Sequence, residues 1–326
     1  MTKIECFGRI NLGIIDLSEN PYRIDGTHGF YTNISIAEVS VYKANKTSIV
    51  IDSEYKEQFI EVIDRCFEYL NRIDVCCDVH ITIASKFNRH IGLGSGTQIS
   101  MAIVEAFNCE FNLEMNIHEK AKLAGSGGTS SVGVYCFKRG GYVLDAGRLF
   151  PTEKSSIGPS EKYSFDKLPP IIASYYLPNW NMFLLIPQTD QYIEGNVEQQ
   201  LFQKYTPIPS SEADEICKWI LKGIMPAIVE KNYDSFCYSI EQIMNLGFRL
   251  REISHYGRYI SDRISFLKRI GAKGVGMSSF GPTVFGFFDS EKKKQEILNT
   301  VKSVFPNDDL YYTTPRNEGA KIEVTA

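Results

Sequence analysis

Glycine gathers with serine and threonine at three places in this chain: HIGLGSGTQ (His90–Gln98), GSGGTSS (Gly125–Ser131) and KGVGMSSFGPTVFGFF (Lys273–Phe288). Closely spaced glycines let backbone N–H groups approach an anion, and a helix starting just behind them adds the positive end of its dipole. Ile99, Ala102, Ile103, Ala106 and Phe107 mark such a helix behind the first loop. The ligand suited to Gly92, Gly94, Ser95, Gly96, Thr97 and Gln98 is therefore a phosphate or pyrophosphate, with His90 opening the loop. Gly94 and Gly96 are the positions where a side chain is expected to keep that anion away. The spacing is neither GxGxxG with a downstream acidic ribose ligand nor GxxxxGK[ST]. One glycine loop is compatible with a simple turn. The second loop (Gly127, Gly128, Thr129, Ser130) and the third (Ser278, Ser279, Gly281) make three turns a poorer account than three anion contacts.

Charge of both signs clusters near the N-terminus. Arg9 and Asp16 flank the apolar run GRINLGIID, and Arg23, Asp25 and His28 follow closely. Clustered charge of both signs suits sugar-phosphate binding; the alternative is a solvated loop with surface ion pairs. Arg139 and Arg148 bracket RGGYVLDAG and fit either a ligand contact or plain surface. His118 and His255 have no partners at metal-ligand spacing. Eight cysteines form no CxxC, which points to reduced thiols in a cytoplasmic protein.

These residues must be held by a sizeable core. A chain of 326 residues is long enough for two domains, and its 43% hydrophobic content supplies them. The net charge of −4 lacks the bulk basic footprint of a nucleic-acid binder. The N-terminus has no signal-peptide h-region, and no apolar run approaches the roughly 20 residues of a membrane span. Residues 33–51 read as strands and 54–72 as an amphipathic helix. Alternation over Val75–Ile83 reads as a half-buried strand with His80 outward. Residues 151–180, rich in Pro, Ser and Lys, read as a long excursion at a domain boundary. Beyond it come a strand (Met182–Pro187), helices near 210–231, 233–250 and 257–270, a strand–loop–strand unit over 273–288, a charged helix near 290–304 and closing strands. Helices and strands mixed without regular alternation favour α+β over a doubly wound sheet.

GRINLGIIDL, HIGLGSGTQ and GVGMSSFGPTVFGF, in that order, resemble the three signatures of the GHMP kinase superfamily. Together with YRIDG (Tyr22–Gly26), GSGGTSSVGVYCFKRGGYVLDAG (Gly125–Gly147) and PIP (Pro207–Pro209), they make nearly the whole chain similar to the β-ribofuranosylaminobenzene 5'-phosphate synthase family. That resemblance implies an α+β, GHMP-kinase-like two-domain fold. Residues 1–175 would form a domain like the second domain of ribosomal protein S5, and residues 176–326 a ferredoxin-like one, with the site between them.

The resemblance also implies the reaction: phosphoribosyl pyrophosphate condenses with an aromatic or heteroaromatic carboxylate such as 4-aminobenzoate. Pyrophosphate and carbon dioxide leave and a C-glycoside forms, serving a pterin-like one-carbon carrier or a C-nucleoside. Asp16, Arg9 and His28 would be catalytic, Asp16 by stabilising the ribosyl cation, and the three loops with Arg23 and Asp25 would bind substrate. No tightly bound cofactor is implied beyond Mg²⁺ carried with the pyrophosphate, and a homodimer is the family expectation. Two rival readings remain, an ATP-dependent small-molecule kinase and a non-catalytic nucleotide-binding protein on the same fold. Against the first stands Gly127–Ser131, where such kinases commonly place a catalytic aspartate and this chain has none.

Overall fold

The computed structural model describes residues 1–52, 56–87, 90–159, 166–189, 193 and 195–325. Its spine is a long antiparallel pair, β1 (Thr2–Asp16) and β2 (Arg23–Lys43). Ile4, Cys6, Ile10 and Leu12 of β1 and Phe30, Ile36, Val39 and Val41 of β2 are all fully buried. The register slips between Cys6 and Phe7, between Phe7 and Arg9, and between Asn11 and Gly13. Such bulges re-aim side chains, and Arg9 and Asn11 sit among these.

β3 (Ser48–Asp52) runs parallel to β4 (Val79–Ser85), and α1 (Lys56–Arg72) connects them. α2 (Ser95–Glu110) follows the first glycine loop and packs on β1 and β2 through a continuous apolar surface that includes Ile99, Ala102, Ile103 and Ala106. α3 (Ile117–Leu123) and α4 (Val132–Arg139) lead to β5 (Tyr142–Asp145), β6 (Arg148–Leu149) and β7 (Ile171–Tyr175). β5 and β6 pair with the first half of β2, and β7 pairs with β5.

The second half begins at β8 (Met182–Ile186). A helical layer follows: α5 (Gly195–Tyr205), α6 (Ser210–Trp219), a π turn (Ile220–Ile224), α7 (Met225–Val229), α8 (Tyr233–Ile243), α9 (Gly247–His255) and α10 (Arg258–Arg269). β9 (Lys273–Met277), β10 (Val284–Phe287), α11 (Glu291–Val304) and β11 (Asp309–Thr313) complete a sheet of order β11-β8-β10-β9. Four antiparallel strands in the order fourth-first-third-second, in a βαββαβ chain, are the ferredoxin-like arrangement. β12 (Lys321–Val324) then returns to the first sheet beside β1.

Four details differ from the sequence reading. The half expected over 176–326 does not keep its last strand, because β12 places the C-terminus in the first sheet beside β1. The helix expected over 233–250 is two, because Gly247 turns with φ +55 and packs against Ile216. The strand expected from Val75 starts at Val79, and α5 was not foreseen. One apolar core runs through both sheets: the Phe30 ring meets those of Phe285 and Phe287 at 6.4 and 6.1 Å. All eight cysteines are free. Among the described residues no helix is long and apolar enough to cross a membrane.

Candidate active site

The three glycine loops meet. They wall a cavity of about 240 Å³ with Arg9, His90, Gly92, Gly94, Ser95, Gly96, Thr97, Gly127, Ser130, Ser279 and Gly281 on its surface. Gly94 is the N-cap of α2 and takes a left-handed conformation, φ 69 and ψ 27, which glycine adopts without strain. The first amides of α2 therefore open onto the cavity. Arg9 lies against Gly94, its guanidinium 3.0–3.2 Å from where a Cβ would stand.

Arg9 is only 9% exposed, and its Nε and Nη1 have no hydrogen-bond partner. Burial, and then the like charge of Arg249, bring its pKa down to about 10. Arg249 has its own counter-ion. It pairs with Glu252 at 2.5 Å and donates to the Ser279 carbonyl at 2.6 Å and to the Asn11 carbonyl and Oδ1 at 3.0 Å. Burial in turn pushes Glu252 up to about 7, against the pull of Arg249. Of the two buried guanidinium groups only Arg249 has a carboxylate partner, and the unpaired one faces the cavity. A buried cation left unpaired is costly, so the site is built for an anion.

The third loop is stitched to the first and to β1. Ser278 donates from Oγ to the Gly92 carbonyl at 2.6 Å and accepts from the Asn11 amide at 3.1 Å. Thr283 N donates to the Ile91 carbonyl at 3.2 Å. The second loop is tied down by Arg148, which donates to the carbonyls of Gly127, Gly128 and Lys167 at 2.9–3.0 Å. Behind that loop lies a buried polar cluster. Lys154 Nζ pairs with Asp25 at 2.7 Å, both side chains fully buried, and also reaches Thr129 Oγ1 at 3.3 Å. Burial raises Asp25 to about 6, against the pull of Lys154. Asp145, fully buried at the end of β5, accepts from Thr27 and Ser131.

Several expected site residues lie elsewhere. Gln98 is fully buried beneath the loop, donating to the Gly133 carbonyl and accepting from Tyr31 at 2.8 Å each, so it braces α2 rather than lining the cavity. Ser278, Gly128 and Thr129 support the loops from behind. Arg23 spends its guanidinium on the carbonyls of Ala146 and Gly147. Asp25 belongs to the Lys154 pair. Asp16 accepts from Ser18 N and Oγ at the far end of β1 and is not among the lining residues. Arg139 is exposed, and Arg148 is the structural member of that pair.

His28 is completely buried, bonded through Nδ1 to the Tyr142 hydroxyl at 3.1 Å, with Nε2 unpartnered. Burial takes its pKa from 6.5 down to about 3, so it stays neutral and does not touch the cavity. Its proton uptake on unfolding gives stability that is whole above pH 6.5 and lost as pH falls toward 3, with a ceiling of roughly 5 kcal/mol. His28→Phe should therefore flatten the acid side of a plot of urea midpoint against pH; an unchanged acid slope would show that His28 does not contribute.

Gly125, Ser126 and Phe280 line the cavity as further members of the second and third loops, whereas Gln58, Gly133, Ile193 and Glu198 also line it and were not singled out in the sequence. Arg249, Lys154 and Asp145 were equally silent, since each acts on residues far away in the chain. Among the described residues no group of three or more His, Cys, Asp or Glu side chains is placed to hold a metal ion.

A split of this kind, with a glycine loop opening a buried helix and a ferredoxin-like half closing over it, defines the GHMP kinase class. Residues 58–141 match the GHMP kinases N terminal domain and residues 224–307 the GHMP kinases C terminal model. The fold is similar to that of mevalonate kinase from L. major with a TM-score of 0.70 at 11% identity, covering 97% of this chain and 96% of that one. Within the class, the chain is 34% identical to β-ribofuranosylphenol 5'-phosphate synthase of Methanocaldococcus jannaschii, over 98% of its own length and 99% of the relative's. It is 33% identical to the protein of the same name from Archaeoglobus fulgidus, over 99% and 100%. The chain belongs to the β-ribofuranosylphenol 5'-phosphate synthase family.

Proposed function

We propose that this protein condenses phosphoribosyl pyrophosphate with a para-substituted aromatic carboxylic acid. It releases pyrophosphate and carbon dioxide and forms a C-glycosidic bond. The observation that carries this reading is Arg9: a buried, unpaired guanidinium beside the N-terminus of α2, in a cavity walled by glycine amides. That arrangement fits the donor's pyrophosphate, binding it by charge-assisted hydrogen bonds and stabilising its departure. The family relationship supplies the reaction. The second loop supports transfer of a ribosyl rather than a phosphoryl group, since Gly127–Ser131 has no carboxylate to deprotonate an alcohol.

As pyrophosphate leaves C1', the ring carbon bearing the carboxylate attacks it. Loss of carbon dioxide then restores aromaticity. The chain's part is to hold both reactants in line and to neutralise charge at the leaving group. The glycine loops and Arg9 fit an anion better than a bare metal. Mg²⁺ would come with the donor's pyrophosphate as its counter-ion. The resemblance seen in the sequence pointed to an amino group on the ring, whereas the relatives' name carries a phenol. A para-hydroxy acid is therefore the first acceptor to supply.

With carboxyl-labelled 4-hydroxybenzoate, and 4-aminobenzoate as its comparison, one labelled carbon dioxide is expected per pyrophosphate. Label retained on a ribosylated product would mean that the bond forms at a heteroatom. Phosphate transfer from ATP to an alcohol, without pyrophosphate release from the ribosyl donor, would restore the kinase reading.

A further inference from the structure

Asp145 is fully buried, and its carboxylate collects five hydrogen bonds. Oδ1 accepts from the amides of Thr27 at 3.2 Å and Gly147 at 3.0 Å. Oδ2 accepts from Ser131 N and Ser131 Oγ, each at 3.0 Å, and from Thr27 Oγ1 at 2.7 Å. Ser130 Oγ lies 2.6 Å from Thr27 Oγ1, and Ser130 is part of the cavity wall. An unbroken chain of hydroxyls therefore joins a buried carboxylate to the cavity.

The hydrogens along this chain have one direction. An ionised carboxylate only accepts, so the single hydroxyl hydrogen of Thr27 goes to Asp145. The hydrogen shared by Thr27 and Ser130 must then be that of Ser130. Ser130 Oγ takes the Val132 amide on one lone pair at 3.3 Å. Its remaining lone pair is left for the cavity, and it has no hydrogen to offer there. This serine is a fixed acceptor and selects a ligand group that donates.

The geometry points to Ser130 Oγ as the group that accepts the para-hydroxyl of the aromatic substrate, with Thr27 and Asp145 as the relay that takes up its proton. This rests on the function proposed above. The step balances as follows. The phenol O–H breaks toward Ser130 Oγ, the Ser130 hydrogen moves to Thr27 Oγ1, and the Thr27 hydrogen moves to Asp145 Oδ2. The electron pair left on the phenol oxygen flows into the ring and onto the para carbon. That carbon bonds to C1' as the C1'–O bond to pyrophosphate breaks. When carbon dioxide leaves, its bonding pair returns the ring to a phenoxide, and the proton travels back from Asp145. Burial raises the Asp145 pKa, which equips it to hold a proton briefly.

A purely structural role is the competing account, because the same bonds tie the start of α4 to β2 and β5. The two accounts separate on the acceptor. A para-amino acid pushes its own lone pair into the ring without first losing a proton, so it does not need the relay. The variants are Ser130→Ala, Thr27→Val and the hydroxyl-retaining Thr27→Ser, in the full chain at saturating phosphoribosyl pyrophosphate. Ser130→Ala and Thr27→Val should lower kcat with 4-hydroxybenzoate by about 10²-fold. That loss should exceed the loss with 4-aminobenzoate at least about tenfold, the range of a proton-transfer contribution, and Thr27→Ser should recover most of it.

If 4-aminobenzoate is a poor acceptor, the more acidic phenol of 3,5-difluoro-4-hydroxybenzoate replaces it and should narrow the gap between variant and wild type. Equal losses with all acceptors, or a lowered urea midpoint with no acceptor preference, would overturn the relay and leave the proposed function standing. Absence of pyrophosphate release by the wild type with any of these acids would remove that function, and the relay with it.

Discussion

Arg9→Met should weaken the binding of phosphoribosyl pyrophosphate by about 10²-fold, the worth of one or two charge-assisted hydrogen bonds, yet leave the protein as stable as before or more so. The pairing of these two results follows from where Arg9 sits. Its guanidinium is taken out of water, Nε and Nη1 bond to nothing, and the neighbouring buried charge, Arg249, is of the same sign and already holds Glu252. In the free protein the residue is a net cost, and the bound anion offsets it. Methionine has similar length and no charge, so it fills the space and removes the desolvation penalty. Calorimetry with the donor and a thermal melt of the free protein test this together. A variant that melts well below the wild type while binding the donor normally would make Arg9 a strut of β1.

The sequence exposed the parts of this site that lie in short runs. Gly92 and Gly94 stand out because positive φ beside a helix start is written in consecutive residues. Arg9 stood out through the motif around it, and the bulges that aim it are invisible in a strand pattern. The relay and the tethers were not legible, because they are made by register. Asp145 meets Thr27 across a separation of 118 residues, and Lys154 meets Asp25 across 129. Charge near Arg23 and Asp25 marked a polar cluster correctly, yet nothing in the order of residues says that those groups face Ala146, Gly147 and Lys154 rather than a ligand. His28 misled for the same reason: its place opposite Leu144, inside the sheet, comes from the pairing of β2 with β5. The fold was more legible than the site. Periodicity fixes an element within its own residues, whereas a site is assembled from side chains that different elements deliver.

Gly281→Ala should damage both stability and donor binding, whereas Gly96→Ala should spare stability. The sequence singled out Gly96 as a position where a side chain would obstruct the ligand. The structure adds a steric demand within the protein itself, at the seam between loops. A Cβ on Gly281 would stand 1.9 Å from the Gly92 amide nitrogen and 2.1 Å from the carbonyl carbon of Ile91. Those are backbone atoms, so no rotamer change relieves the clash. The loops must separate, and that lengthens the Ser278–Gly92 and Thr283–Ile91 bonds that hold the ferredoxin-like half against the N-terminal sheet. A loss of roughly 3–5 kcal/mol is expected, at the severe end for a single substitution, with donor affinity falling because Gly92 and Gly281 are both cavity wall. At Gly96 a Cβ meets only the Gln58 side-chain amide, at 3.4 and 3.6 Å. Alanine near the start of α2 should then be neutral or stabilising by up to about 1 kcal/mol, the ordinary gain over glycine within a helix. Urea midpoints for the two variants, each with and without donor, decide the matter. A Gly281→Ala protein as stable as the wild type would mean that the two halves are not held together at this seam.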